Sequence, residues 1–235
     1  MIIAHRTCPR DAPENSLEGI RTAARLGADY VEIDVRLTRD KVPVLLHDPL
    51  LLRTTRRPWP VAWASAKGVA RAHLRGSSEH VPTFAEAVAA LPEGVGFAID
   101  TKAPDAAEAV VAELRNQGAL GRALLWAQDE RAVRWYAQHA RDEAVEVALL
   151  RDAMSPEAID RFLADAMAFG ATAISAHQAT VDAELIERAH TRHLRVHCWF
   201  QDEEHQARMA TLPLDGIVTD WPADARRRCH GGADA

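Results

Sequence analysis

The stretch YVEIDVRLTRDKVPVLLHDP (residues 30–49) alternates in a way that decides what the rest of the chain builds around it. In an extended strand successive side chains point to opposite faces, so Glu32 and Asp34 project together while Val31, Ile33 and Val35 project the other way. An apolar face of this kind belongs against helices, and the two carboxylates then point inward near the strand's C-terminal end. Burying two like charges is costly unless a cation neutralises them. For EID alone, a solvated acidic edge is as good a reading as a metal site. The remainder of the stretch returns antiparallel: with Asp40-Lys41 as the two central residues of a tight turn, Asp34 lies opposite His47. Lys41 stands where such a turn favours glycine, so the register can slip by one. Because its natural geometry is antiparallel, VPVLLH (42–47) is expected to be the arm of a hairpin and not a member of the main sheet.

Outward from this stretch, short apolar runs alternate with helical patterns that carry start and stop signals, the mark of βα units. Asn15 with Glu18 is expected to open a helix that Gly27 closes, Thr83 and Glu86 form a capping box, Pro104 suits a first turn, and Ser155-Pro156 opens a helix that Gly170 ends. Between them lie VGFAID (95–100), ALLWA (123–127), VEVALL (145–150), ATAIS (171–175), LRVHCW (194–199) and DGIVT (215–219). With IIAH and YVEIDV they make eight strands, which predicts a (β/α)8 TIM barrel at the small end of its usual size of about 250 residues. A doubly wound open sheet would present a glycine-rich loop after its first strand, and MIIAHRTCP has none there. The segment from Asp48 to about Pro82 reads as a short excursion over the C-terminal mouth, within a single domain spanning 1–235.

A formal charge of −6 on 235 residues argues against general affinity for nucleic acid or an anionic membrane surface, so an anionic ligand must be held by local positive groups. Cys8, Cys198 and Cys229 have no CxxC spacing and no even count, which fits a reducing, cytoplasmic setting. No apolar run approaches the roughly 18 residues needed to span a bilayer, so stable membrane insertion is not expected. Oligomeric state is not legible.

Strand parity assembles a site. In FAIDTK, Ala98, Asp100 and Lys102 share one face, so a carboxylate and an ammonium arrive inward at a strand's C-terminal end, where barrel active sites lie. His5 shares the inward side of the first strand with Ile3. His5 and Arg6 thereby leave the barrel beside Glu32, Asp34, Asp100, Lys102 and His47. Oxygen ligands of this kind suit a hard divalent cation, Mg²⁺ or Ca²⁺, with an anionic substrate. Trp199, at a strand end, can wall the pocket or pack at its rim. His177 is an even choice between mouth and surface, and Cys8 lacks the base that a nucleophile needs.

The combination IAHR, PENSLEG, YVEIDV, LLHD, VPTFAEAV, FAIDTK and LDGIVTDWP closely resembles the glycerophosphodiester phosphodiesterase family over nearly the whole chain. The resemblance implies hydrolysis of small-molecule glycerophosphodiesters to sn-glycerol 3-phosphate and an alcohol. By position, Glu32, Asp34 and Asp100 would hold a divalent ion. His5 and His47 would act as general acid and base, Arg6 and Lys102 would grip phosphoryl oxygens, and Glu14 would be an accessory site group. The family is thought to use the glycerol 2-hydroxyl as an internal nucleophile. This chain departs from the pattern at Thr7, where glycine is usual, at Asp100, where glutamate is usual, at Ala127-Gln128 and at Phe200. Those departures concentrate where the alcohol would be recognised. Two alternatives are a lysophospholipase D, with Trp59, Val61 and Trp63 lining an apolar channel, and a catalytically silent phosphoester-binding barrel.

Overall fold

The structure is a computed structural model that describes residues 1–140 and 145–230. Eight parallel strands close on themselves: β1 (Ile2–Ala4), β2 (Tyr30–Leu37), β4 (Gly96–Thr101), β5 (Ala123–Ala127), β6 (Glu146–Arg151), β7 (Ala173–His177), β8 (Arg195–Trp199) and β9 (Gly216–Thr219). β1 pairs with both β2 and β9, which completes the barrel. Helices α1 (Leu17–Arg25), α4 (Phe84–Ala90), α5 (Ala107–Asn116), α6 (Glu130–His139), α7 (Ile159–Phe169), α8 (Ala183–His190), α9 (Glu203–Ala210) and α10 (Pro222–His230) follow the strands in turn. The expected (β/α)8 barrel is what the chain forms, and β3 (Pro43–Leu45) lies outside it, antiparallel to the extended end of β2.

Two apolar populations hold the barrel together. Val31, Ile33, Val35 and their counterparts on other strands pack against the helices, while Ile3, Ala98, Leu124, Trp126, Ala148 and Val218 fill the interior. The interior also carries a buried hydrogen-bonded pair at its N-terminal end, where His197 Nε2 meets Glu146 Oε1 at 2.6 Å. Room for that imidazole depends on Gly216, since a Cβ there would lie 2.2 Å from His197 Nδ1. The excursion builds its own small core from Val44, Leu46, Leu51, Val61, Val69 and Leu74, with short helices α2 (Leu52–Thr55) and α3 (Ala66–Val69).

Two local expectations are corrected. The hairpin pairs Val35 with Leu45 and Arg36 with Val44, one residue out of the expected register, so Asp34 faces Leu46 and not His47. The turn has three residues: Lys41 N–H donates to Thr38 O, and Lys41 takes a left-handed φ of 63°, the device that a three-residue loop uses to close. The cap of α1 is Ser16, whose side chain accepts from Gly19 N–H, while Asn15 is turned into the barrel. The Thr83–Glu86 capping box forms as expected.

Candidate active site

Strand parity delivers the acidic groups. Asp34 and Asp100 are register partners on adjacent strands, and Glu32 lies two residues below Asp34 on the same face. One oxygen from each of Glu32, Asp34 and Asp100 falls within 4.8 Å of the others, and all three residues are buried. Burial and the neighbouring Asp34 and Asp100 charges push the Glu32 carboxyl well up. Burial raises Asp100 also, against the pull of Lys102. Burial would raise Asp34 as well, but Lys102, Arg6, His47 and the Asn15 amide bring it down to about 2.

Cations and amides brace this cluster without satisfying it. Lys102 Nζ donates to Asp100 and lies 3.2 Å from Asp34 Oδ1. Asn15 holds Asp34 twice, donating to its Oδ2 at 2.8 Å and accepting from its backbone N–H at 2.9 Å. Asp100 Oδ1 is buried with no hydrogen-bond partner, and so is Arg6 Nε. Three buried carboxylates, with an orphaned oxygen among them, are a donor set fitted to a hard divalent cation. The Arg6 guanidinium, with Nε 3.7 Å from Asp34 Oδ2 and no hydrogen bond on that nitrogen, adds positive charge suited to an anion.

The segment after β1 adopts unusual backbone to place these groups. Arg6, Thr7 and Cys8 all have left-handed φ values, 42°, 62° and 71°. In this turn Arg6 N–H donates to Glu32 Oε2 at 2.6 Å. Thr7 enters the left-handed region despite its branched side chain, at a strain typically of about 1–3 kcal/mol. Its Oγ1 accepts from Ser16 N–H at 3.3 Å and rests on Gly19, where a Cβ would lie 2.2 Å away.

Both histidines are oriented by carboxylates. His5 Nδ1 meets Asp220 Oδ1 at 2.7 Å, and His47 Nδ1 meets Asp48 Oδ1 at 2.7 Å, which leaves Nε2 for chemistry in each ring. Burial draws the His47 pKa below its ordinary value, offset by Asp34 and Asp48. Asp48 is itself clamped by Arg53, and Arg36 Nε donates to His47 O at 2.8 Å.

His5, Arg6, Glu32, Asp34, His47, Asp100, Lys102 and Trp199 line one cavity of about 470 Å³, counted with its open mouth. Trp126, Gln128, Leu150, Asp152, Ser175 and Val218 complete its wall. Glu14 is not on that wall: it is bound by Arg53 Nη2 at 2.7 Å, and it reaches His47 only through Arg53 and Asp48. His177 packs edge-on against Trp199 and does not line the cavity. Burial and Asp11 push the Cys8 thiol up to about 12, which removes it as a nucleophile. Trp59 and Trp63 do not line the cavity, so they form no channel into it. Sequence reasoning gave Asn15 a helix-capping role only, and assigned no role to Asp48 or Asp220. The parity that turned Val218 inward also turns Asp220 inward, two residues on.

A profile described as the Glycerophosphoryl diester phosphodiesterase family matches residues 5–224. The chain is 29% identical over 218 residues to a protein named probable glycerophosphodiester phosphodiesterase 2 of Mycobacterium tuberculosis, a match covering 88% of this chain and 82% of that one. Among solved structures, a putative glycerophosphoryl diester phosphodiesterase from Silicibacter pomeroyi superposes with a TM-score of 0.83 at 24% identity, covering 97% of this chain and 92% of that one. An Oleispira antarctica phosphodiesterase, solved with the product sn-glycerol-3-phosphate, gives a TM-score of 0.82 at 20% identity over 97% and 96% of the two chains.

Proposed function

This chain belongs to the glycerophosphoryl diester phosphodiesterase family, and on that premise we propose that it hydrolyses glycerophosphodiesters to sn-glycerol 3-phosphate and an alcohol by histidine acid–base catalysis beside a divalent cation. The observation that carries this reading is the convergence, in one cavity, of three buried carboxylates, two carboxylate-oriented imidazoles and two cations. Glu32, Asp34 and Asp100 would hold Mg²⁺ or Ca²⁺, which when bound supplies positive charge to the phosphoryl oxygens. Arg6, whose Nε makes no hydrogen bond, and Lys102 would offset the charge that gathers on the same oxygens as the ester bond breaks. One imidazole would take the proton of the attacking hydroxyl, and the other would protonate the departing alkoxide, each step worth roughly 10²–10⁴-fold in rate. Asp220 and Asp48 would fix the tautomer of each ring so that Nε2 faces the substrate.

An adjacent hydroxyl within the glycerol group would supply the nucleophile without a protein side chain, consistent with a Cys8 thiol too weakly acidic to serve. Its attack would expel the alcohol and leave a cyclic phosphodiester, which a water molecule would then open to glycerol 3-phosphate, the two imidazoles exchanging acid and base roles. Trp199 would bound the alcohol side of the cavity together with Trp126 and Gln128. The three free cysteines accord with a reducing, cytoplasmic setting. The test is release of glycerol 3-phosphate from glycerophosphocholine by the purified protein: chelator should abolish it, and Mg²⁺ or Ca²⁺ should restore it. Release that survives exhaustive chelation would remove the cation from the account.

A further inference from the structure

Among the described residues, four of the five large hydrophobic side chains left exposed lie between residues 50 and 63: Leu50, Leu52, Trp59 and Trp63. Trp63 is 73% exposed and Trp59 49%. They are the outer side of a folded unit. Leu51 N–H donates to Trp59 O at 3.1 Å and Leu50 bridges to Pro60, so the segment carrying the two leucines runs antiparallel beside Trp59-Pro60. Trp63 follows one tight turn later, with its N–H on Pro60 O. Leu51 and Val61, between these exposed residues, point the other way and anchor the excursion's own core. Two exposed tryptophans on a well-packed scaffold are more than the scatter of single apolar side chains that ordinary surfaces carry.

The charge of the same segment is opposite to that of the molecule. Residues 48–82 contain six Lys or Arg against two Asp or Glu, in a chain of net charge −6. Both acids are occupied: Asp48 by Arg53 and His47, Glu79 by the backbone N–H groups of Leu17 and Glu18. Arg56, Arg57, Arg71, His73 and Arg75 line one crevice whose wall carries no carboxylate. Arg56 and Arg57 sit in the loop that joins Leu52 to Trp59, and Arg75 Nη2 donates to Leu52 O at 2.8 Å, so the basic crevice adjoins the apolar segment. None of Arg56, Arg57 and Arg71 makes an ion pair among the described residues.

We propose that this face of the excursion docks the protein on an anionic phospholipid bilayer. The tryptophans and leucines would seat at the boundary of headgroups and acyl chains, where amphipathic aromatic rings are favoured, and the arginines would pair with lipid phosphates. The negative remainder of the molecule is repelled by such a surface, which selects this single orientation. The contact is peripheral and reversible, because no helix among the described residues is long and apolar enough to cross a membrane. The Asp48–Arg53 clamp on His47 belongs to the same excursion, so the docking segment is continuous with one that orients a site histidine.

The experiment is co-sedimentation of the full chain with vesicles of phosphatidylcholine alone and of phosphatidylcholine mixed with phosphatidylglycerol. Binding is expected only to the anionic vesicles, weakening as salt is raised. Trp59→Ala with Trp63→Ala, and separately Arg56→Glu with Arg57→Glu, should each lower the partition coefficient by about tenfold or more. Turnover of soluble glycerophosphocholine should be unchanged in both variants, which shows that they are folded. Quenching of wild-type tryptophan fluorescence by brominated phosphatidylglycerol tests the same contact without mutation. Failure of the wild type to bind anionic vesicles, or binding untouched by either variant, would overturn the proposal. So would light scattering that showed a dimer dissociated by Trp63→Ala, since a second copy would then cover the patch.

Discussion

Asp34 is gripped from several directions, and the least conspicuous grip is Asn15, whose amide both donates to the carboxylate and accepts from the Asp34 backbone N–H. Asn15→Ala would leave a buried carboxylate oxygen and a buried N–H unpaired. Loss of about 1–3 kcal/mol of stability is expected in urea unfolding, together with weaker Mg²⁺ or Ca²⁺ affinity in calorimetric titration. The Asp220 carboxylate plays the corresponding part for His5. Asp220→Asn keeps the shape but weakens the hold on the ring tautomer, so kcat should fall by about 10²-fold or more with KM little changed; equal activity would show that His5 needs no orientation. At this scale the clustering of Glu32, Asp34 and Asp100 was legible, because alternation along EID and AID sends carboxylates to one face. Asn15 was misassigned as a helix cap because Ser16, beside it, is an equally good capping residue, and only the fold shows which of the two faces Asp34.

The left-handed turn Arg6–Cys8 and the β2–β3 hairpin both use backbone that sequence preference alone does not suggest. In each, non-glycine residues with positive φ sit in turns held by contacts from elsewhere: Arg6 N–H on Glu32, Thr7 on Gly19 and Ser16, and, around Lys41, Arg39 N–H on Ala64 O and Asp40 accepting from Ala66 N–H. That is why the hairpin register came out one residue from expectation while the strands themselves were recognisable. The excursion is tied to the barrel by Glu79, whose carboxylate accepts from Leu17 N–H at 3.0 Å and Glu18 N–H at 3.1 Å at the positive end of α1. Glu79→Ala should cost about 1–2 kcal/mol in chemical unfolding, with catalytic turnover near wild type. A large loss of activity would mean that the excursion positions His47 more tightly than its Asp48–Arg53 clamp implies.

Across the whole molecule, the barrel places charge at both ends of a largely apolar interior, and the eight-strand order followed from periodicity because each strand buries an apolar face against a helix. Beneath the lower end of the sheet, Asp29 accepts from Ile2 N–H at 2.7 Å and pairs with Arg226, and Asp215 accepts from Val196 N–H at 2.8 Å. Burial would raise both carboxyls, but those partners hold them below the ordinary value of 3.8. A depressed native pKa gives stability that is complete above the unfolded value and lost as pH falls through the native one. Melting temperature should therefore drop as pH falls below about 4, and more gently in the double variant Asp29→Asn/Asp215→Asn. The central claim concerns the other end of the barrel and is tested most directly by glycerol 3-phosphate release from glycerophosphocholine, with Mg²⁺ or Ca²⁺ present, by wild type, His5→Ala and His47→Ala. The account predicts measurable wild-type release and a fall of roughly 10²-fold or more in each variant, with unchanged circular dichroism. Near-normal release from either variant would contradict it.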